Sequence, residues 1–191
     1  RQVRGAHEPL RLVVEARPGA RRGQPLDQRP EQWSGPARAF GEQVGRIRVV
    51  AAEELVPAFA RERDLHVFGC ELRAFLDAWV ADRPPGMALA LTGGDGLRGY
   101  AVGRPCRVGV KIGPLFADDP SVAQALFDAL CASVPAGASL YLDVPEPNGA
   151  AVELARRAGM TVVFETARMY AGRAPDVPVE RVFGVTTFEL G

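Results

Sequence analysis

The stretch of sequence that decides the fold is LDVPEPNGAAVELARRAGM, which covers residues 142–160. It begins inside the almost wholly apolar run Leu140–Val144, which predicts a central strand that ends at two prolines. Asn148 is a favourable N-cap for the short amphipathic helix that follows, and Gly159 is a favourable residue to end it. The β-rich run Thr161–Tyr170 comes next. The stretch therefore predicts a strand–helix–strand unit.

Further strands and helices are predicted on both sides of this stretch. Alternation and apolar spacing predict strands at residues 46–50, 87–91, 99–102, 108–112 and 182–190, and helices over most of 51–80 and from 119 onward. The first helix carries apolar residues every three or four positions, which places them on one face: Leu72, Phe75, Leu76 and Trp79. In the second, Asp119 is a plausible N-cap and Pro120 suits the first helical position. This order predicts an α/β fold with a mixed, mostly antiparallel sheet flanked by helices.

The residues around Asn148 resemble the second conserved block of the GCN5-related N-acetyltransferases. In that block a strand, an Asn, an Ala, a helix, a Gly and a bulky apolar residue follow in order. The closing runs Arg168–Tyr170 and Arg181–Gly191 narrow the resemblance to the C-terminal domain of two-domain bacterial acetyltransferases of the YitH type. The resemblance implies the acyl-CoA N-acyltransferase fold from about Ile47 to Gly191. It also implies that the whole protein transfers an acetyl group from acetyl-CoA to an amine of a small molecule or peptide.

The resemblance also implies where a donor would bind. In this family acetyl-CoA lies between two splayed parallel strands, and its pyrophosphate rests on N–H groups at the start of a helix. The resemblance assigns Ile112 to one of these strands and Ser121 to the helix start. It assigns Asn148 to the asparagine that contacts the cofactor arm, although an N-cap role explains this residue as well.

The donor loop departs from the family pattern. Between Pro114 and Ala123 the chain has no Gly and no basic residue, and it carries the carboxylates Asp118 and Asp119 instead. These acids would occupy the helix N-terminus and repel a pyrophosphate. Active relatives often have a Tyr general acid seven residues after the Asn, where this chain has Ala155, which cannot transfer a proton. We therefore expect weak acetyl-CoA binding by this domain, and we assign no catalytic residue.

Candidate substrate-binding residues come from three segments. Charged residues in the first helix either contact substrate or belong to a solvated helix face or a salt bridge. Side chains near the end of a central strand share a face where ligands of α/β folds often bind. Alternating residues of a later strand either line a pocket or form a polar sheet surface. The candidates are Asp64 and Arg73, then Tyr141 and Asp143, then Glu165, Arg168 and Tyr170.

The composition limits the class of protein. Net charge is zero, although residues 1–48 hold ten arginines and only five acidic residues. This basic segment has no regular aromatic interleaving and no recognisable nucleic-acid-binding motif, so we do not expect a nucleic-acid partner. Three scattered cysteines favour reduced thiols in the cytoplasm, and two distant histidines predict no metal site. No apolar run has the length of a membrane span, so no membrane contact is expected.

Residues 1–46 differ in composition from the rest of the chain. They are rich in Arg, Gly, Pro and Gln, and only Leu10–Val14 is suited to a short strand. We expect an arm or the remnant of a preceding domain, with a domain boundary near Ile47. Three hypotheses remain: a C-terminal domain whose donor is held mainly by an N-terminal acetyltransferase domain, a non-catalytic ligand-binding or interaction module, and a working acetyltransferase with an unusual donor loop. The implied protein partners are that N-terminal domain or a second copy of the chain.

Overall fold

A computed structural model describes residues 8–16, 43–44, 47–48, 79, 87–93, 96–135, 137–171, 173–174 and 176–188. Its strands are β1 (Glu8–Ala16), β2 (Gln43–Val44), β3 (Ile47–Arg48), β4 (Ala88–Gly93), β5 (Gly96–Pro105), β6 (Val110–Ala117), β7 (Leu140–Leu142), β8 (Phe164–Arg168) and β9 (Val182–Gly184). Its longer helices are α1 (Pro120–Ser133) and α2 (Gly149–Arg157), and a 3-10 turn at Val179–Arg181 precedes β9.

The described strands form one sheet in the order β2-β3-β4-β5-β6-β7-β1-β8, and β9 also pairs with β6. The β6–β7 pair is parallel, whereas the other described pairs are antiparallel. This arrangement confirms the mixed, mostly antiparallel sheet predicted from the sequence. The parallel pair is bridged by α1, as a parallel connection requires a crossover.

The apolar core lies mainly between one face of the sheet and the two helices. Strand residues such as Ile112 and Leu142 pack there with Leu126 and Leu130 of α1 and Leu154 of α2, all at most 1% exposed. A smaller cluster on the opposite face contains Tyr100, Val102, Phe116 and Val182, with Trp79 packed against it. Lys111 lies between two residues of the larger cluster, so it points to the face opposite the helices.

The predicted β4–β5 hairpin is present, with Gly96 at a φ of +111° in its turn. Strand β6 is longer than we predicted, because it continues past Ile112 to Ala117. The extension exists because Leu115 and Phe116 pair with β5 on one side and with β9 on the other. The segment that we expected to be a donor loop is therefore mostly strand. Only Asp118 and Asp119 lie between the end of β6 and the start of α1.

Strand β1 comes from the arginine-rich N-terminal segment and lies between β7 and β8. Its registers pair Val14 with Tyr141 and Leu12 with Phe164. It includes the run Leu10–Val14 that we predicted to be strand-forming. The proposed boundary near Ile47 stays a prediction, although β1 lies before that boundary and within the same sheet.

Two other expected elements are only partly described. Most of the predicted helix over residues 51–80 lies outside the described residues, although Trp79 is helical. The predicted closing strand over residues 182–190 is shorter than we expected: residues 185–188 are not strand, residues 189–190 lie outside the described residues, and β9 ends at Gly184. It ends there because the Val185 N–H leaves the ladder and donates to the Asp143 carbonyl at 2.9 Å.

Candidate functional site

Strands β6 and β7 separate in the middle of the sheet. They pair in parallel from Val110 to Ile112, and β6 then carries a bulge in which Gly113 and Pro114 face the single residue Val102. Beyond the bulge β6 no longer pairs with β7. Its new neighbour is β9, with Leu115 opposite Gly184. The family resemblance places the donor in the gap between β6 and β7. In this structure β9 of the same chain fills that gap.

Two glycines allow this close approach of β9. A Cβ atom added to Gly113 would lie 2.5 Å from the Val185 carbonyl oxygen and 2.8 Å from that of Thr186. A Cβ atom on Gly184 would lie 2.6 Å from a methyl carbon of Leu142. The contacts of Gly113 are with backbone atoms, so the absence of a Cβ atom there lets the C-terminal segment enter the gap. At Gly184 a Cβ atom would require the Leu142 methyl group to shift.

Asn148 binds this segment and also caps α2. Its Oδ1 accepts hydrogen bonds from the N–H groups of Ala150 and Ala151, each at 3.1 Å, which confirms the predicted N-cap. Its Nδ2 donates to the carbonyl oxygens of residues 179, 180 and 182, at 3.1, 3.2 and 2.9 Å. The residue is 5% exposed. Its cofactor-binding role stays a prediction, because the amide is engaged here with the chain's own backbone.

The N-terminus of α1 has its backbone donors already in use. Pro120 has no N–H, and the N–H groups of Ser121 and Val122 donate to Asp119 Oδ1 at 2.8 and 3.0 Å. The Ala123 N–H donates to the Asp119 carbonyl at 3.1 Å. The predicted cap is therefore confirmed. An anion at this helix start would have to displace the carboxylate that holds these donors.

Asp118 and Asp119 are both held by one guanidinium. Arg98 donates from Nε to Asp118 Oδ2 at 2.9 Å and from Nη2 to Asp119 Oδ2 at 2.8 Å. The hydroxyl of Ser121 and the N–H of Val122 lower the pKa of Asp119 from its usual range. Asp119 is thus a carboxylate at neutral pH, and it repels a second anion at the same place.

Two of the other positions implied by the resemblance are in the core. Ala155 is 1% exposed and Ile112 is fully buried, both within the cluster beneath α1 and α2. Ser121 remains at the start of α1, where its hydroxyl donates to Asp119 at 2.5 Å. None of these three side chains is placed to give a proton to a leaving thiolate.

A mainly apolar pocket with a few polar groups lies on the sheet face opposite the helices. Its volume is about 400 Å³, and its lining residues are Cys106, Arg107, Val108, Lys111, Tyr141, Asp143, Val163 and Phe164. The structure thus places Tyr141 and Asp143, named from the sequence, in one pocket. Sequence reasoning missed Lys111, although it is the chain's single lysine and lies at an alternating position of a predicted strand.

An ion pair lies at the base of this pocket. Lys111 Nζ is 2.5 Å from Asp143 Oδ2, and the side chains are 18% and 0% exposed. The C-terminal segment contacts both residues. The Val185 N–H donates to the Asp143 carbonyl, and the Lys111 ammonium lies 5.2 Å from the centre of the Phe188 ring. The segment that fills the cleft therefore also helps to build the pocket.

The other described candidate residues do not line this pocket. We expected Glu165, Arg168 and Tyr170 to share one face of a strand. This was wrong for the first two, because Glu165 and Arg168 are three residues apart in β8 and therefore lie on opposite faces. Tyr170 follows the strand, and its ring lies 5.3 Å from the Arg168 guanidinium carbon. Asp64 and Arg73 are outside the described residues. They cannot be placed relative to the pocket.

A second pocket of about 240 Å³ lies by α1 and α2 and includes Cys131 and Arg157. Burial raises the pKa of Cys131 to about 12, so this thiol stays protonated and is a poor nucleophile. Within the described part of the chain, no three His, Cys, Asp or Glu side chains form a group that could hold a metal ion. No helix there is long and apolar enough to cross a membrane.

Comparison with known proteins identifies relatives of the chain. Residues 60–184 match the family model described as an acetyltransferase (GNAT) domain. The chain is 29% identical over 128 residues to a protein of Pseudoalteromonas sp. (strain SANK 73390) named holothin acyltransferase. The match covers 67% of this chain and 43% of that protein.

Solved structures share the fold. A Pyrococcus horikoshii protein described as an acetyltransferase aligns with a TM-score of 0.60 and 20% identity, over 95% of this chain and 52% of its own. A GCN5-related N-acetyltransferase from Sphaerobacter thermophilus aligns with a TM-score of 0.54 and 20% identity, over 84% and 51%. The chain thus spans about half the length of these relatives. The matched family region covers most of its 191 residues, and the chain belongs to the GNAT acetyltransferase family.

Proposed function

We propose that this chain is the C-terminal domain of a two-domain N-acetyltransferase of the YitH type, in which a preceding domain holds most of the acetyl-CoA. The whole protein then transfers the acetyl group to an amine of a small molecule or peptide. The observation that carries this proposal is the occupied cleft, in which β9 pairs with β6 where the family resemblance assigns the donor. The relatives' greater length supports a further domain. The name holothin acyltransferase supports a small-molecule acceptor.

The free energy of displacing the C-terminal segment argues against donor binding in this domain. A donor in the cleft would have to replace the β6–β9 pairing and the contacts of Asn148 with three carbonyl groups. Each net hydrogen bond contributes about 1 kcal/mol. A loss of about 4 kcal/mol corresponds to a thousandfold in affinity, which turns micromolar binding into millimolar binding.

Electrostatic repulsion between the aspartates at the start of α1 and a pyrophosphate also weakens donor binding. Asp118 and Asp119 hold the place of a pyrophosphate, and Arg98 already pairs with both. Ala155 also leaves the position of the usual proton donor without a titratable group. In this proposal the domain contributes to the acceptor site or to assembly with the preceding domain or a second copy. The protein then works in the cytoplasm.

The second candidate function is a non-catalytic ligand-binding or interaction module on the same fold. The observation that favours it is the combination of a filled cleft with a further pocket, mainly apolar with a few polar groups, on the sheet face opposite the helices. It predicts that the domain binds a ligand but contributes nothing to the acetyl-transfer rate of the whole protein.

Calorimetric titration with acetyl-CoA tests the proposal. The 191-residue chain should bind it with a Kd on the order of a millimolar or weaker, and should acetylate none of a panel of amines. A longer protein that includes the preceding domain should bind acetyl-CoA far more tightly and transfer the acetyl group. Micromolar binding by the 191-residue chain, weakened by Asn148→Ala, would show that the donor cleft is open and the proposal wrong. Unchanged kcat and acceptor range after removal of this domain from the longer protein would favour the non-catalytic module.

A further inference from the structure

The pocket beside Lys111 spans neighbouring strands on one face of the sheet. Lys111 of β6 lies directly opposite Tyr141 of β7, and β1 separates β7 from β8, where Phe164 forms part of the far wall. The loop before β6 supplies Arg107 and Val108. This pocket lies on the face opposite α1 and α2, away from the α1 N-terminus.

The charge that a ligand meets in this pocket is positive. The Asp143 side chain is 0% exposed and already pairs with Lys111, so its negative charge is compensated and out of a ligand's reach. The Lys111 side chain is 18% exposed, and its ammonium group has three N–H donors, which leaves donors for a second acceptor. Arg107 is exposed and adds a guanidinium to the lining.

Lys111 is held in position before any ligand arrives. Asp143 lies on one side of its ammonium group, and the Phe188 ring contributes a cation–π contact at 5.2 Å. A lysine on a free surface loses side-chain entropy when it binds a ligand. Here that loss has largely occurred on folding, which favours binding.

The walls of the pocket are apolar and accessible. Val108 is 45% exposed, and Val163 and Phe164 are each 58% exposed. Large apolar side chains that remain this accessible beside a few polar groups are typical of small-molecule sites. They suit a ligand with an apolar body.

We infer that this pocket binds a small molecule that carries a carboxylate on an apolar body. The carboxylate contacts Lys111 and Arg107, and the body packs on Val108, Val163 and Phe164. Among the described residues that line the pocket, an ammonium group in the same position would face two cations and no exposed carboxylate. The inference goes beyond the proposed function, because it holds whether or not this domain takes part in acetyl transfer.

Matched probes test the charge preference. We expect 3-phenylpropionate to bind the 191-residue chain saturably in calorimetric or NMR titrations at low ionic strength. 3-Phenylpropylamine, which has a similar apolar body, should bind at least tenfold more weakly. High salt should weaken binding of the carboxylate several-fold, because screening acts on its contact with exposed Arg107. Equal or tighter binding of the amine, or no saturable binding of the carboxylate, would overturn the inference.

Variants test the location while sparing the buried ion pair. Arg107→Gln should weaken binding of 3-phenylpropionate about threefold to tenfold, consistent with one partly exposed charge contact. Val163→Ala should weaken it about threefold through lost apolar contact. Val152→Ala is the matched control, because Val152 is an exposed valine of α2 on the other side of the sheet. Binding that is unaffected by both pocket variants would also overturn the inference.

Asp143→Asn tests whether the charge of Lys111 is enough to recognise the carboxylate or whether Asp143 is needed as well. It leaves Lys111 without a competing carboxylate, so binding of 3-phenylpropionate should be retained or strengthened. A variant that instead loses all ligand binding while keeping its unfolding transition would show that the charge of Lys111 does not suffice to recognise the carboxylate. That result would contradict the inference.

Discussion

Asn148 Nδ2 lies 2.9 Å from the carbonyl oxygen of Val182, and this buried hydrogen bond joins the start of α2 to the strand that fills the cleft. The two residues are 34 positions apart in sequence, and the hydrogen bond brings them into contact in the folded chain. One amide therefore serves a local purpose, the helix cap, and a long-range one, the closure of the cleft.

The two purposes can be separated by substitution. We predict that Asn148→Ala lowers the free energy of unfolding by about 3 kcal/mol, because it removes the cap and leaves buried carbonyl groups without a donor. Asn148→Ser keeps a capping oxygen but is too short to reach the three carbonyls, so we expect a loss of about 2 kcal/mol. Urea unfolding measures both values. A serine variant as stable as the wild type would show that the contact with β9 contributes nothing.

The bulge at Gly113 gives a second prediction. Gly113→Ala places a methyl group against the carbonyl oxygens of Val185 and Thr186 and should cost about 2 kcal/mol of stability. Gly149→Ala is the control, because a Cβ atom there meets nothing within 4 Å and the residue is helical. The control should be neutral or stabilising by up to about 1 kcal/mol. Equal stability of the two variants in thermal unfolding would contradict the close packing of the C-terminal segment.

The α1 cap predicts a pH dependence. Hydrogen bonds lower the pKa of Asp119 in the folded state, so its stabilisation is present above the unfolded-state pKa and disappears as the pH falls through the folded-state pKa. Asp119→Ala should therefore destabilise the chain by about 1 kcal/mol at pH 7. The difference from wild type should shrink below about pH 4. Asp119→Asn retains a capping oxygen and should not show this pH dependence. Urea unfolding at several pH values provides the measurement, and a difference that grows on acidification would refute the argument.

The Lys111–Asp143 pair predicts non-additive stability changes. Lys111→Met removes the cationic partner of a fully buried carboxylate and should cost about 3 kcal/mol. Adding Asp143→Asn removes that buried charge, so the double variant should be more stable than Lys111→Met alone by about 1 kcal/mol. A double-mutant cycle in urea measures the coupling. Purely additive losses would show that the two charges do not interact in the folded protein.

Limited proteolysis tests the boundary near Ile47. We predict that trimming the N-terminal segment leaves a folded core of residues 47–191, because α1 and α2 still cover the main cluster. Strand β8 should then lose hydrogen-exchange protection, since its described pairing is with β1. Deletion of residues 182–191 should instead abolish soluble folding, because it removes β9 and the acceptors of Asn148. Cooperative loss of the whole fold on N-terminal trimming would show that β1 is integral to the domain.

Features with local causes could be predicted from the sequence. Asp119 and Asn148 were identified as caps because a side-chain oxygen and nearby N–H groups suffice to form them. Gly159 was identified as the end of α2, and it has the positive φ of +71° that favours glycine. Tyr141 and Asp143 could be assigned to one face from their spacing alone. Lys111 could not be added to them, because the sequence does not state which strands are neighbours.

The sequence by itself determined the kinds of elements, their order and the family, because capping, turn formation and apolar periodicity act over a few residues. Only the tertiary structure decided that β6 pairs with β7 before Gly113 and with β9 after it. The same is true of the position of β9, which fills the gap between β6 and β7. A glycine followed by proline predicts a break, and the strand continues through it because the backbone of Leu115 finds Gly184 as its partner. That pairing joins distant residues through backbone groups that every residue has. Side-chain identity therefore carries little information about it until the sheet is assembled.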